Sequence, residues 1–103
     1  MVNVHLIGDS AASALPKSGS MANNMAKICA SATVELLAGR QPDAIPVVAN
    51  TGYSAISGSM SGYVANVWRF KAGKGYVSQP EGGATAAPDE LNRSYNESWA
   101  ANI

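Results

Sequence analysis

A carboxylate and the start of a helix lie close together near the N-terminus. The apolar segment 2–7 runs into Gly8-Asp9, and a loop at residues 15–19 then leads into a long helix of small residues. A strand that ends in Gly-Asp and continues through a glycine-containing loop to a helix N-terminus presents one carboxylate and several free amides to a nucleotide-like ligand. The pattern indicates part of a cofactor site.

Composition limits the classes of protein to which the chain can belong. Its 103 residues, 47% of them hydrophobic, suffice for one compact domain. Seven Lys and Arg balance seven Asp and Glu without a basic run, which argues against a nucleic-acid partner. The single cysteine, Cys29, excludes an internal disulfide and has no neighbouring thiol or histidine for a zinc site. No apolar run approaches the roughly 20 residues of a membrane span, so none is predicted.

The first half predicts one strand and one long helix. Residues 2–7 are apolar apart from Asn3 and His5, as in a strand buried on both faces of a parallel sheet, and His5 is expected to be a core residue. The helix is expected over residues 20–38, with Gly39 as its C′ residue. A core stripe is predicted at Met21, Met25, Ile28, Cys29, Ala32 and Leu36, and a polar strip at Asn24, Lys27, Ser31 and Glu35. Small residues between them predict a helix packed over most of its circumference.

The second half predicts a small sheet and a terminal helix. A short apolar run at 45–49 is followed by a turn or strand end at 50–54. Residues 63–70 and 76–78 read as a β-hairpin joined by the turn at 72–75. Residues 80–87 read as a surface loop, with Pro88 as the first helical residue. An apolar stripe at four-residue spacing then comprises Leu91, Tyr95, Trp99 and Ile103.

These elements give an α/β to α+β fragment as the fold class. A buried strand without a parallel partner and a helix without a stop signal are typical of a piece of a longer protein. The chain divides at about residue 41 into a first part with the strand and the long helix, and a second part, residues 42–103, with the hairpin and the last helix.

Four segments together carry a resemblance to a known family. They are Ile-Gly-Asp at 7–9, Leu-Pro-Lys-Ser-Gly-Ser-Met-Ala-Asn at 15–23, Asn-Thr-Gly-Tyr-Ser at 50–54, and Tyr-Asn-Glu-Ser-Trp at 95–99. In this order the sequence resembles the C-terminal part of the flavoprotein subunit of flavocytochrome c sulfide dehydrogenase, of the pyridine nucleotide-disulfide oxidoreductase-like superfamily. The resemblance spans essentially the whole chain, which corresponds to about the last quarter of such a subunit.

The resemblance implies FAD as cofactor, shared with an N-terminal half outside this chain. It also implies that residues 1–41 are the C-terminal segment of an FAD-binding, Rossmann-like domain, which their strand and helix complete. Residues 42–103 would then be a flavin-binding C-terminal domain of the flavocytochrome c sulfide dehydrogenase type. Asp9 would accept a hydrogen bond from a ribityl hydroxyl, and Gly8 would let the backbone approach the cofactor. The helix amides would face the pyrimidine edge of the flavin, and Lys17 would add positive charge there. The candidate cofactor-binding residues are Gly8, Asp9, Lys17, Ser18, Gly19, Ser20, Met21 and Trp99. The alternatives are a turn or cap role for Asp9, a solvated loop position for Lys17, and a core position for Trp99.

One residue departs from the family pattern. The position of Gly52 is typically a cysteine in that family, half of a redox-active disulfide over the flavin. Glycine cannot form a thiolate adduct, so no catalytic residue is assigned in this chain. Cys29, on the predicted core stripe, is a poor substitute.

Three functions are compatible with these residues. The first is a C-terminal segment of an FAD-dependent oxidoreductase that transfers electrons from a sulfur compound to a cytochrome c-type acceptor, in the periplasm by resemblance; the isolated segment is expected to be inactive. The second is a non-catalytic module for binding a cytochrome partner or for self-association. The third is a phosphate-binding domain that uses residues 16–19, although their spacing is not that of a P-loop.

Overall fold

The computed structural model describes residues 3–102; Met1, Val2 and Ile103 lie outside the described residues. A short 3₁₀ helix precedes two α-helices that flank a sheet. The elements in chain order are the 3₁₀ helix Gly8–Ser10, α1 Gly19–Leu37, β1 Val47–Ala55, β2 Ser61–Lys71, β3 Gly75–Ala84 and α2 Glu90–Ala101. The α+β fold class is confirmed. None of the helices in the described part of the chain is long and apolar enough to cross a membrane.

The three strands form one antiparallel sheet in the order β1-β2-β3. Val48 of β1 lies opposite Trp68 of β2, and Phe70 of β2 lies opposite Tyr76 of β3. The predicted hairpin is thereby confirmed. Leu15, Met21 and Val48 form the buried core, against which Met25, Ile28, Trp68 and Tyr76 pack. This core joins α1 to one face of the sheet.

The predicted N-terminal strand is wrong for residues 3–7, and Val2 lies outside the described residues. Val4 and Leu6 are 51% and 67% exposed, and His5 is exposed instead of lying in the core. An extended segment becomes a strand only when its amides and carbonyls pair with a neighbour. Within residues 3–102, the sheet consists of β1, β2 and β3 alone, so residues 3–7 have no strand beside them.

Helix α1 agrees with the prediction to within one residue at each end. Gly39 follows it at φ +74°, the left-handed conformation predicted for the C′ position. Burial is less extensive than expected, because only the N-terminal half lies over the core. Met21 is 1% exposed, whereas Leu36 and Leu37 are 47% and 84% exposed. The expectation of packing over most of the helix circumference is therefore wrong for this chain.

Two segments for which a turn or loop was predicted belong to paired strands. Residues 50–54 were predicted as a turn or a strand end; the turn is wrong, since all five lie within β1 and each pairs with a β2 residue. Strand β3 extends to Ala84, so the predicted loop at 80–87 is mostly strand. Gly82, at φ +104°, lies so close to the Ala65 carbonyl oxygen that a β-carbon would overlap it. Pro88 precedes the helix, since Asp89 is the N-cap of α2.

Two serine hydroxyls attach the start of α1 to β1. The Ser18 hydroxyl accepts a hydrogen bond from the Met21 amide at 3.1 Å, which caps the helix. The same hydroxyl donates to the Asn50 side-chain oxygen at 2.5 Å, and Asn50 is only 8% exposed. Two residues further along, at the second residue of the helix, the Ser20 hydroxyl accepts a hydrogen bond from the Thr51 amide at 3.1 Å. These bonds hold the first turn of α1 beside the middle of β1.

Helix α2 is attached where β1 ends and β2 begins. The amide and carbonyl of the fully buried Ser61 exchange two 3.0 Å hydrogen bonds with those of Asp89. The Asn96 side chain donates to the Ser61 hydroxyl at 3.2 Å. The ring of Trp99 lies 5.6 Å from that of Tyr53 on β1. The C-terminal half of α2 is thereby brought to β1, although Tyr95 on its stripe is 50% exposed.

We expect Ser18→Ala to lower the free energy of unfolding by about 1–3 kcal/mol, because it removes the N-cap and leaves the buried Asn50 oxygen without its donor. Chemical denaturation monitored by far-ultraviolet circular dichroism measures this loss. Ser31→Ala, at an exposed position within the same helix, is the matched control and should change the stability by less than about 0.5 kcal/mol. Equal stabilities of the two variants would contradict the role given to Ser18.

Candidate functional site

A groove of about 690 Å³ lies where the start of α1, strand β1 and the end of α2 meet. Three segments far apart in the sequence form its walls. Its lining residues are Ser18, Gly19, Ser20, Asn23, Asn24, Lys27, Thr51, Gly52, Tyr53, Trp99 and Asn102. Ligand pockets are typically about 300–1,000 Å³, so the groove has the size of a small-molecule site.

Five positions singled out in the sequence meet in this groove. Ser18, Gly19 and Ser20 come from the start of α1, Gly52 from β1, and Trp99 from α2. Met21, also predicted, is 1% exposed and lies in the core beneath, where its amide is bonded to the Ser18 hydroxyl. It supports the groove and does not line it.

The N-terminus of α1 gives the groove a positive character. The Met21 amide is capped by Ser18, while the Gly19 and Ser20 amides donate no hydrogen bond to any residue among 3–102. Free amides at a helix N-terminus carry a partial positive charge. Among the described lining residues Lys27 is the cation, and none is a carboxylate. The groove is thus suited to an electron-rich or anionic group.

Aromatic side chains form the opposite wall. Trp99 is 37% exposed and lies at a tilt of 47° to Tyr53, whose ring is also 5.6 Å from that of Tyr63. Such rings supply flat apolar area at little entropic cost. The core position proposed as an alternative for Trp99 is not what the structure shows, since the side chain is partly exposed at the groove.

The other three predicted residues lie outside the groove lining. Gly8, at φ +72°, begins the 3₁₀ helix, where its β-carbon position is 3.8 Å from the Ala22 side chain. Asp9 is exposed. The Lys17 ammonium donates to the carbonyls of Asp9 and Ala11, at 2.5 and 3.1 Å, so its charge is directed at this turn. Roles for Gly8 and Asp9 in cofactor binding stay predictions.

Six lining residues were not predicted as site residues: Asn23, Asn24, Lys27, Thr51, Tyr53 and Asn102. Asn24 and Lys27 are four and seven positions after Ser20, which places all three on one helix face. This polar strip, read together with the helix start, was a signal for the site. Asn102 and Thr51 had no such signal, because only the tertiary fold brings α2 and β1 to the start of α1.

A second cavity, of about 530 Å³, lies on the apolar side of α1. Met25, Ile28 and Cys29 line it from the helix, together with residues of the N-terminal segment and Tyr76. Burial raises the pKa of the Tyr76 phenol, so this group is neutral at physiological pH. Cys29 is half-buried here and does not line the groove.

Comparison with known protein families identifies the part of the chain that forms one side of the groove. The family described as flavocytochrome c sulphide dehydrogenase, flavin-binding, matches residues 44–103, more than half of the chain. This region contains all three strands and α2, and therefore Gly52, Tyr53, Trp99 and Asn102 of the groove. The match contains the motifs at 50–54 and 95–99 and confirms the resemblance for this part of the chain. It supports a flavin cofactor and an oxidoreductase-related role. The chain belongs to the flavocytochrome c sulphide dehydrogenase flavin-binding family.

Proposed function

We propose that the groove holds the isoalloxazine ring of FAD. The chain then acts as the C-terminal segment of an oxidoreductase that passes electrons from a sulfur compound to a cytochrome c-type acceptor. One observation carries this proposal: residues of β1 and α2 from the matched flavin-binding region line one groove together with Gly19 and Ser20 at the start of α1. The periplasmic location and the cytochrome partner are parts of the same proposal.

The lining residues fit such a ring. Trp99 and Tyr53 offer flat apolar surface to an aromatic system, and the Gly19 and Ser20 amides offer donors to its carbonyl oxygens. Bound flavin would supply the capacity to accept an electron pair and release it one electron at a time. Lys27 and the α1 N-terminus would favour negative charge at their side of the ring. The hydrogen bonds of Ser18 and Ser20 to β1 keep these donors in place before a ligand arrives.

The groove offers no thiol from the described residues. At Gly52 a β-carbon would lie 3.8 Å from Val64 Cγ1, an ordinary contact, so the backbone has room for a side chain there. Cys29 lies in the second cavity, on the apolar side of α1. We therefore propose a function in which position 52 supplies no covalent relay for sulfur.

The remainder of FAD would be held elsewhere. The glycine-rich fingerprint that binds a pyrophosphate does not occur in the 103 residues. Asp9 is proposed to contact the ribityl chain when a second half of the site is present. We therefore expect residues 1–103 alone to bind flavin weakly.

Exposed apolar side chains favour the interaction module as a second candidate. Val34, Leu37 and Leu91 are 59%, 84% and 61% exposed on the two helices. Side chains of this kind are typical of surfaces that another protein covers. This function is compatible with the first, because these residues lie outside the groove lining.

A cysteine introduced in the groove should be protected by flavin. We expect bound FAD to slow iodoacetamide alkylation of Gly52→Cys about fivefold at a concentration about four times the Kd, because alkylation requires an empty groove. Gly58→Cys is the matched control, since its β-carbon would meet no atom within 4 Å. Peptide mass spectrometry measures both rates, with Cys29 as an internal reference. Protection of neither engineered cysteine, or of both equally, would contradict the proposed site.

The positive charge of Lys27 should strengthen FAD binding. We expect Lys27→Gln to raise the Kd about two- to fivefold at low ionic strength, with a smaller effect at high salt, because the ammonium is accessible to solvent and its field is screened. Flavin fluorescence titration measures the Kd. Lys74→Gln, in the exposed β2-β3 turn, removes the same charge outside the groove and should leave the Kd unchanged. Equal increases of the Kd in the two variants would mean that net charge, and not a charge in the groove, affects FAD binding, and would contradict the role given to Lys27.

A further inference from the structure

Strand β1 presents an open hydrogen-bonding edge to the groove. It is an edge strand, paired on one side with β2. Tyr53 lies opposite Tyr63 of β2. The Tyr63 amide donates to the Thr85 hydroxyl and the Tyr63 carbonyl accepts from the Thr85 amide, both at 2.9 Å. Both main-chain groups of Tyr63 therefore point away from β1, and Tyr53 is in a non-hydrogen-bonded pair.

The neighbouring residues of β1 confirm this register. The Thr51 amide points away from β2, since it donates to the Ser20 hydroxyl of α1. Outward and inward main-chain groups alternate along an antiparallel strand, so Tyr53, two residues later, also directs its amide and carbonyl outward. Even-numbered positions point inward: the Pro46 carbonyl faces β2 and accepts a hydrogen bond from the Phe70 amide at 3.0 Å.

The open position lies in the groove itself. Thr51, Gly52 and Tyr53 all line the groove. At Thr51 the outward main-chain amide is already bonded to the Ser20 hydroxyl. Gly52 has no side chain to cover the next position. Among residues 3–102, no side chain forms a hydrogen bond with the Tyr53 amide or carbonyl. These two groups lie side by side in the extended backbone.

We infer that the Tyr53 main chain binds the imide edge of the flavin pyrimidine ring, an inference that rests on the proposed function. An imide places an N–H beside a carbonyl oxygen, which is complementary to the carbonyl and amide of one extended residue. The second imide carbonyl then has donors in the same groove, the amides of Gly19 and Ser20. Adenine also offers an adjacent donor and acceptor, but it has no carbonyl for the positive end of α1. The edge of β1 thus selects an imide-bearing ring.

Methylation of the imide nitrogen tests the inference. Lumiflavin has this N–H and carries no ribityl or adenine group, and 3-methyllumiflavin replaces the N–H with a methyl group. In a ¹⁵N-¹H correlation spectrum of the full chain, lumiflavin should shift the amides of Gly19, Ser20 and Tyr53. The 3-methyl compound should bind about three- to tenfold more weakly, the effect of one lost hydrogen bond, and should shift the Tyr53 amide less.

Two further ligands make the result specific. The 10-ethyl analogue of lumiflavin adds the same carbon at the position where FAD carries its ribityl chain, and it should bind as lumiflavin does. Adenosine should leave the Tyr53 amide unshifted. Equal affinity for lumiflavin and its 3-methyl analogue, with shifts in the groove, would overturn the imide contact and leave the flavin site intact. A shift of Tyr53 by adenosine instead of lumiflavin would also overturn it. Absence of any groove shift with lumiflavin would overturn both the contact and the proposed site.

Discussion

The hydrogen bonds between the start of α1 and the middle of β1 determine where the groove forms. The Ser18 hydroxyl caps the helix and satisfies the buried Asn50 side chain at the same time. A buried amide oxygen without a donor is costly, so the helix cannot slide along the strand without a loss of stability. The Ser20 bond to Thr51 then fixes the rotation of the first turn. As a result, Gly19 and Ser20 at the start of the helix line the same groove as Gly52 and Tyr53 of β1.

The aromatic wall of the groove, formed by Tyr53 and Trp99, depends on the attachment of α2 to the sheet. Ser61 pairs with Asp89 at the start of α2, and the contact between Trp99 and Tyr53 brings the other end of that helix to β1. Residues 44–103, the region that matches the family, supply this wall together with the sheet. The positive wall belongs to α1, which precedes the matched region. The proposed flavin site therefore requires that α1 and the matched region fold as one unit.

Local signals predicted the elements whose chemistry is local. The capped helix α1, its Gly39 end and the β2-β3 hairpin follow from residues close together in the sequence. Residues 3–7 did not become a strand, because pairing depends on a neighbour that the sequence pattern cannot supply. Residues 50–54 were predicted as a turn or a strand end, and Asn50 and Gly52 both pair with β2. The resemblance identified Ser18, Gly19, Ser20 and Trp99, whereas Lys27 was predicted only as part of the polar strip of α1. The edge at Tyr53 is visible only in the register of the sheet.

The central claim is that flavin occupies the groove between α1, β1 and α2. Intermolecular nuclear Overhauser effects between unlabelled flavin and the ¹³C,¹⁵N-labelled chain test this most directly, because they report contacts shorter than about 5–6 Å, the separation typical of packed aromatic rings. The account predicts cross-peaks from flavin protons to the Trp99 ring and the Gly52 α-protons, with none to Met25 or Ile28 in the second cavity. Cross-peaks to Met25 and Ile28 without any to Trp99 would contradict it.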